Sequence, residues 1–157
     1  MALMMCLTHQ APDRVSVFRL LKLGGTLRRT PDGGFELDLS EPGDHKTIAA
    51  FGPSLTTVPE AIAKALKVHL ALSAVPESGG YVFSALDDPF EPLQPFQWTR
   101  LIQAMFKRYS GVALAPKDLR SSHVTWLKTG EHDDATLRAA AQAMRHSSKT
   151  QDSAAYN

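Results

Sequence analysis

The stretch GGTLRRTPDGGFELDLS, residues 24–40, decides the fold because it predicts a β-hairpin near the start of the chain. Its centre, PDGG at residues 31–34, has the composition of a tight turn. Phe35, Leu37 and Leu39 then alternate with polar residues, which is the period-two pattern of a strand that buries one face. The stretch therefore predicts two antiparallel strands joined by residues 31–34.

A third strand is expected directly after the hairpin. EPGDH, residues 41–45, has the composition of a second turn, and KTIAAFGP, residues 46–53, can then return as a strand. The three strands would form a small antiparallel meander. Before the hairpin, residues 3–9 and 15–23 are apolar enough for short helices or strands.

Four helices are predicted after the meander. Residues 57–60, TVPE, match a capping box, and the apolar residues Val58, Ile62, Leu66 and Leu70 recur at a spacing of four. Apolar residues between Trp98 and Phe106 mark a second helix. A third helix runs from Pro116 to Lys128 with Gly130 as its stop, and a fourth begins at Asp133 or Asp134. This order predicts an α+β fold, a mainly helical domain with a small three-stranded antiparallel sheet at one edge.

The composition indicates one ordinary globular domain. A length of 157 residues is enough for one substantial hydrophobic core. No apolar run approaches the roughly 20 residues of a membrane-spanning helix, and the first residues lack the basic region of a secretory signal. Cys6 is the single cysteine, so no internal disulfide can form, and a reducing, intracellular compartment is expected.

Charge is distributed unevenly along the chain. Residues 1–97 hold 8 Lys and Arg against 11 Asp and Glu, a net charge of −3, whereas residues 98–157 hold 9 against 5, a net charge of +4. A basic C-terminal third fits an anionic partner such as nucleic acid, although a solvated surface would give the same counts.

Two cations lie close together at the start of the third predicted helix. Lys117 and Arg120 are three positions apart and therefore share one helix face. The helix dipole disfavours positive charge at this end, so the pair suggests an anion bound there. Alternatively, Asp118 neutralises both cations, or both are solvated.

Three segments together resemble the C-terminal signature of the tyrosine recombinases, the phage integrase family: KDLRSSHVTWL at 117–127, AMRHSS at 143–148 and the tyrosine at 156. In that family the helix commonly begins His-x-Leu-Arg, and Leu-Gly-His-Ser-Ser precedes the tyrosine. APDR at 11–14 is similar to the site of the family's first arginine, and GDHKT at 43–47 falls where the family keeps a lysine. Lysine at 117 and Met-Arg before His146 depart from the common pattern and look closer to crypton-like recombinases of eukaryotic mobile elements.

The resemblance implies a catalytic set of six residues. Two arginines and a histidine would bind the non-bridging oxygens of the scissile phosphate. A hairpin lysine would protonate the departing 5′ oxygen with help from a second lysine, and the tyrosine would attack phosphorus to leave a 3′-phosphotyrosine. In this sequence the two arginines are Arg14 and Arg120, and the histidine is His146. The hairpin lysine is Lys46, the second lysine is Lys117, and the tyrosine is Tyr156.

No cofactor or metal ion is implied by this chemistry. His45, His123 and His132 are interpreted as structural residues. The segment EHDD at 131–134 could be mistaken for a set of metal ligands, but it lacks a second cluster at a recognisable spacing and is expected to cap a helix.

The resemblance covers residues 11–156 and implies that residues 1–157 form one catalytic domain, without the N-terminal DNA core-binding domain and the helix after the tyrosine that relatives carry. The expected partner is double-stranded DNA, with no membrane, and the expected function is site-specific recombination or integration of DNA. Self-association is expected of a full-length enzyme on DNA, whereas the isolated chain is expected to be a monomer. The compartment would be the nucleus in a eukaryote and otherwise the cytoplasm.

Two other functions stay open at this point. The chain could be a DNA-binding remnant of a mobile element that no longer cuts DNA. It could also relax DNA as a type IB topoisomerase does, because that chemistry is the same.

Overall fold

The computed structural model describes residues 15–41, 52–85 and 87–143, with side chains up to residue 140. Within these ranges the chain forms one three-stranded sheet and five helices, which confirms the predicted α+β class. The elements are α1 (Val15–Arg19), β1 (Leu27–Arg29), β2 (Phe35–Asp38), β3 (Leu55–Thr57), α2 (Glu60–Leu72), α3 (Pro95–Ser110), α4 (Pro116–Thr129) and α5 (Asp134–Ala143).

The sheet is antiparallel with the strand order β1-β2-β3, as predicted. Leu27 lies opposite Leu37 in the first pair, and Leu37 lies opposite Thr56 in the second. The alternating apolar residues of the hairpin, Phe35, Leu37 and Leu39, are all buried. The period-two pattern therefore identified the face of the sheet that packs against the core.

The third strand lies further along the chain than predicted. β3 begins at Leu55, whereas the prediction placed the strand at residues 46–53. Of those eight positions, Gly52 and Pro53 are within the described residues, and neither belongs to a strand. The short β3 pairs with Glu36 to Asp38 of the central strand.

The predicted capping box at residues 57–60 is wrong. Thr57 is the last residue of β3 and pairs with Glu36, and the next backbone N–H, of Val58, donates to the Phe35 oxygen at 2.9 Å. Because these residues are held by the central strand, α2 can start only afterwards. Its N-cap residue is Pro59, with no side-chain hydrogen bond.

α2 covers the apolar face of the sheet. Its stripe of Ile62, Leu66 and Leu70 is buried, as its spacing predicted. Side chains from α1, the sheet and α2 meet around a small apolar cavity lined by Phe18, Leu21, Leu27, Leu37, Val58, Ile62 and Leu66.

α3 joins this core through aromatic contacts. Phe83 lies between α2 and α3, with its ring centroid 5.2 Å from His69 and 5.5 Å from Trp98. Trp98 is fully buried, whereas Leu101, one of the apolar residues that mark this helix in the sequence, is 42% exposed. At the other side of the core, Arg19 of α1 donates to the Leu93 oxygen at 2.8 Å, which ties α1 to the start of α3.

α4 links the main core to a second, smaller apolar cluster. Leu119 packs against the main core, while Val124 and Leu127 pack with Leu137 and Ala140 of α5. α4 ends at Thr129 with Gly130 after it, close to the predicted stop. Ala141 and Met144, two further apolar residues of the predicted fourth helix, lie beyond the described side chains.

In the described part of the chain, no helix has the length and apolar character needed to cross a bilayer.

Replacing Phe35 by alanine is expected to lower the free energy of unfolding by about 3–5 kcal/mol, because its ring is fully buried and a cavity would remain. The matched control is Phe90→Ala, since Phe90 is 55% exposed and its loss should change stability by less than about 0.5 kcal/mol. Urea denaturation followed by circular dichroism measures both. Equal losses in the two variants would contradict the assignment of Phe35 to the core.

Candidate active site

Two of the six predicted catalytic residues lie within the described part of the chain, and both are on α4. In the sequence, the first arginine immediately precedes α1, the hairpin lysine falls between β2 and β3, and the histidine and tyrosine follow α5. The four residues outside the described ranges, whose roles stay predictions, are Arg14, Lys46, His146 and Tyr156.

The start of α4 is fixed by its own sequence. Pro116 is the first helical residue, where its fixed φ is favourable and its missing N–H costs nothing. The Ala115 N–H donates to the Asp118 carboxylate at 2.7 Å, and the Asp118 N–H donates to the Ala115 oxygen at 2.9 Å. Asp118 thus caps its own helix, and it forms no ion pair within the described residues.

Arg120 is buried. It is 8% exposed and, with Asp38, is one of two buried charged residues in the described part of the chain. It lies on the buried face of α4 together with Pro116, Val124 and Leu127. Taking a guanidinium out of water is costly unless it is paired, and Arg120 does make a polar or electrostatic contact. Burial of this kind fixes the fork geometry that binds phosphate oxygens bidentately.

Lys117 has a different environment although it is only three residues away. Its side chain is exposed and forms no ion pair with the described residues. Lys117 and Arg120 were predicted to share one face of the helix, but Arg120 is turned towards the core and Lys117 towards solvent. An exposed ammonium on a flexible stem is mobile and hydrated, whereas a buried guanidinium has a fixed geometry.

His123 is electrostatically linked to Arg120. The histidine is half-buried one turn further along α4, and its pKa is lowered, first by burial and then by the positive charge of Arg120. The imidazole is therefore neutral at pH 7. The structural role predicted for His123 does not include this link, and the three-residue spacing from Arg120 is the sequence signal for it.

A group of three rings fixes the connection from α4 to α5. The Trp126 ring centroid lies 5.6 Å from that of His123 and 4.6 Å from that of His132. His132 comes so close to Gly130 that a Cβ atom at this glycine would overlap its Nε2 atom. The φ of Gly130 is −84°, so this position requires the small size of glycine and not its backbone freedom.

The acidic residues of the EHDD segment serve the helix that follows. The Thr136 N–H donates to Asp133 Oδ1 at 2.7 Å, which confirms the predicted capping role. Among the residues that the structure describes, no group of three His, Cys, Asp or Glu side chains is arranged to hold a metal ion.

Removing the charge of Arg120 is expected to raise the pKa of His123, because that charge disfavours the imidazolium. An NMR titration of the His123 ring from about pH 8 to pH 5 should give a pKa below the unperturbed value of about 6.5 in the unchanged protein and a higher one in Arg120→Gln. Arg138→Gln, which removes an exposed charge on α5, is the control and should leave the titration unchanged. Identical curves for all three proteins would show that His123 and Arg120 do not interact.

The lowered pKa of His123 also determines how this residue changes the stability of the protein with pH. Since the folded state holds the pKa of His123 below its unfolded value, the unfolded state takes up this proton first as pH falls. The contribution of His123 to the free energy of unfolding is therefore highest above its unfolded pKa and is lost as the pH drops through the folded one.

Comparisons with known proteins agree with this architecture. No protein-family model and no curated protein sequence matches the chain. Among solved structures, the crystal structure of XerA recombinase superimposes with a TM-score of 0.64 at 18% sequence identity. The superposition covers 92% of this chain and 48% of the XerA recombinase chain, so this chain spans about half the length of that protein. The chain therefore shares its fold with part of XerA recombinase, in agreement with the α+β class predicted from its sequence.

Proposed function

We propose that this chain is the catalytic domain of a tyrosine recombinase, which cleaves and rejoins duplex DNA through a 3′-phosphotyrosine intermediate. One observation carries the proposal: Arg120, the arginine of the Lys-x-x-Arg motif, is buried near the start of α4 in a fold shared with XerA recombinase. A guanidinium held on a packed helix at that position has the chemistry to bind two phosphate oxygens bidentately.

The first requirement of the reaction is stabilisation of the phosphate in its transition state. Arg120 supplies a preorganised fork to two non-bridging oxygens, and Arg14 supplies the second fork. His146 adds a hydrogen bond to the same phosphate. Lys117, exposed at the first turn of α4, adds positive charge from the solvent side.

The second requirement is a nucleophile in line with the leaving group. The Tyr156 hydroxyl attacks phosphorus and passes its proton to solvent, and the bond to the 5′ oxygen breaks. Lys46 protonates that oxygen, which leaves as a 5′-hydroxyl. The new phosphotyrosine bond replaces the broken phosphodiester bond, so a 5′-hydroxyl of a second DNA end can reverse the step without an external energy source.

The substrate of the proposed reaction is double-stranded DNA, and its biological outcome is site-specific recombination or integration. The crypton-like features at Lys117 and before His146 favour an enzyme of a mobile element. The alternatives are a topoisomerase-like enzyme and an inactive DNA-binding remnant, and they are separated by an assay on supercoiled plasmid with and without paired target sites. A topoisomerase-like enzyme relaxes plasmid that lacks the sites, whereas an inactive remnant leaves all plasmid unchanged.

Tyr156→Phe is expected to abolish covalent attachment to DNA while binding is nearly unchanged, because the hydroxyl is the attacking atom and the ring remains. The assay incubates the protein with a nicked suicide duplex and detects the adduct on a denaturing gel. Tyr109→Phe is the matched control, since Tyr109 is an exposed tyrosine on α3 and should keep adduct formation. An adduct formed by the Tyr156 variant would refute the assignment of the nucleophile.

Arg120→Lys is expected to lower the cleavage rate about 100-fold, or by about 3 kcal/mol of transition-state stabilisation, although the charge is kept. An ammonium cannot reproduce two parallel hydrogen bonds to phosphate oxygens. Single-turnover cleavage of the suicide duplex measures the rate, and Arg138→Lys on α5 is the control that should retain it. Near-normal cleavage by the Arg120 variant would mean that this arginine does not bind the phosphate bidentately.

A further inference from the structure

Asp38 is a buried carboxylate at the end of the central strand. It is the last residue of β2, and its burial is shared by only one other charged residue of the described chain, Arg120. Its alternation with Leu37 and Leu39 places it on the face of the sheet opposite to theirs, so the apolar core does not account for its burial. A buried charge is costly unless it is paired and hydrogen-bonded, which makes its partners informative.

Both oxygens of the Asp38 carboxylate have a partner. Oδ2 forms an ion pair with the Arg28 guanidinium at 2.7 Å, and Oδ1 accepts from the Ser40 N–H at 3.1 Å. A carboxylate that accepts from the N–H two residues further on forms an Asx turn, which fixes the backbone as it leaves the strand. These three residues are named the Asp38 network.

The Asp38 carboxylate stays ionised well into acidic conditions. Its pKa is lowered, first by a hydrogen bond from the Ser40 side chain and also by the charge of Arg28, against the opposing effect of burial. The Asp38 network is therefore intact over the neutral pH range in which DNA cleavage is assayed.

Arg28 does not pair with the acid that lies directly opposite it. In the register of β1 and β2 that acid is Glu36, which could bind Arg28 across the two strands. The ion pair is formed instead with Asp38, two residues nearer to the end of β2, while the Arg28 Nε atom donates to the Gly25 oxygen at 3.2 Å. Glu36 forms no ion pair within the described residues. Since the direct pair would be enough to join β1 to β2, the diagonal pair indicates a role at the strand end.

The last backbone pair of the sheet lies directly beyond Asp38. The Leu39 N–H donates to the Ser54 oxygen at 2.8 Å, and the Ser54 N–H donates to the Leu39 oxygen at 3.4 Å. The sequence between Ser40 and Ser54 contains Lys46, to which the proposed function assigns the protonation of the 5′ oxygen. The Asp38 network thus holds the backbone at the point where this segment begins.

We infer that Asp38 is a positioning residue for Lys46, because with Arg28 and Ser40 it sets the start of the segment that brings the lysine to the 5′ oxygen. This inference rests on the proposed function and adds to it a residue outside the six that the sequence resemblance implies. Asp38 does not touch DNA in this role. A general acid must come within hydrogen-bond distance of the atom that it protonates, and a misplacement of about 1 Å can lower the rate by about 100-fold.

A role in proton transfer can be separated from a general loss of stability by the choice of DNA. In an ordinary duplex the bond from phosphorus to the 5′ oxygen breaks, and that oxygen takes a proton from Lys46. In a duplex with sulfur in place of this oxygen, the bond from phosphorus to sulfur breaks and a thiolate leaves. Thiols ionise with a pKa of about 8.5, so this thiolate leaves without a proton. The sulfur duplex still requires the fold, Arg120 and Tyr156, but not the lysine or a residue that positions it.

Asp38→Ala is the test variant, assayed by single-turnover cleavage of an oxygen and a sulfur suicide duplex. Its rate should fall at least about 10-fold on the oxygen duplex and be nearly unchanged on the sulfur duplex. The matched control is Glu36→Gln, which alters an acid of the same strand that lies opposite Arg28 and has no ion pair there. This control should leave both rates unchanged.

A double variant shows whether Asp38 acts through the lysine. Lys46→Ala alone should show the same preference for the sulfur duplex. Adding Asp38→Ala to it should slow cleavage of the oxygen duplex no further, because residues that act as one unit are not additive. Circular dichroism establishes that each variant is folded. If Asp38→Ala fails to fold, Asp38→Asn replaces it, since it keeps an oxygen for the Ser40 N–H, loses the charge that pairs with Arg28, and should show the same preference with a smaller loss.

Three results would overturn the inference, and they are distinguishable from one another. Equal losses by Asp38→Ala on the two duplexes, or additive losses in the double variant, would overturn it and leave the proposed function intact. A Lys46→Ala variant that sulfur does not rescue would remove the lysine as the acid, and the role of Asp38 with it. No adduct from the unchanged protein on either duplex would refute the proposed function itself and this inference together.

Discussion

Burial of the single apolar face of the sheet against α1 and α2 is the constraint on which the rest of the structure depends. A sheet with one apolar face must bury that face against another element. Phe35, Leu37 and Leu39 form that face, and α2 covers it with a stripe at a spacing of four. α3 is then placed by Phe83 and Trp98, and Leu119 attaches α4 to the same core. The position of Arg120 is thus a consequence of packing that starts at the hairpin.

The placement of Arg120 by packing has a chemical advantage. A guanidinium held on a packed helix needs little reorganisation when negative charge develops on a phosphate, and its low exposure strengthens the interaction. The neutral imidazole of His123 next to it adds no competing positive charge at pH 7. The exposed Lys117 supplies mobility that Arg120 lacks, so the two cations of the motif are complementary rather than redundant.

Local pattern predicted the parts of the fold in which short-range periodicity and packing agree. The hairpin, the α2 stripe and the bounds of α4 are of this kind. Thr57 shows the limit, because its sequence suits a helix cap equally well and pairing with Glu36 decides for the sheet. The alternation of residues 35–39 predicts an outward-facing Asp38, yet Asp38 is buried and its carboxylate pairs with Arg28 at 2.7 Å. Such choices depend on neighbours that periodicity alone does not reveal.

In the candidate site, too, local sequence predicts some features and tertiary packing decides others. The motif located Lys117 and Arg120 on one helix start, since their spacing is local. That one of them is buried and the other exposed, and that His123 senses the charge of Arg120, are properties of the packed molecule. The mutual geometry of Arg14, Lys46, His146 and Tyr156 is also a matter of tertiary structure, which is why sequence reasoning names these residues but cannot give the distances between them.

The division of the apolar residues into two clusters has a consequence for how the molecule opens. The larger cluster joins α1, the sheet, α2 and α3, whereas among the described side chains α5 packs against Val124 and Leu127 of α4. A helix attached by so small a cluster can detach at a free-energy cost well below that of global unfolding. Backbone amides of α5 should then exchange with solvent through local opening, and those of α2 only when the whole domain unfolds. α5 leads directly into the sequence that contains His146 and Tyr156. In the reaction proposed above, local opening of α5 would act on the helix that precedes both residues in the sequence, while Arg120 stays between the two apolar clusters.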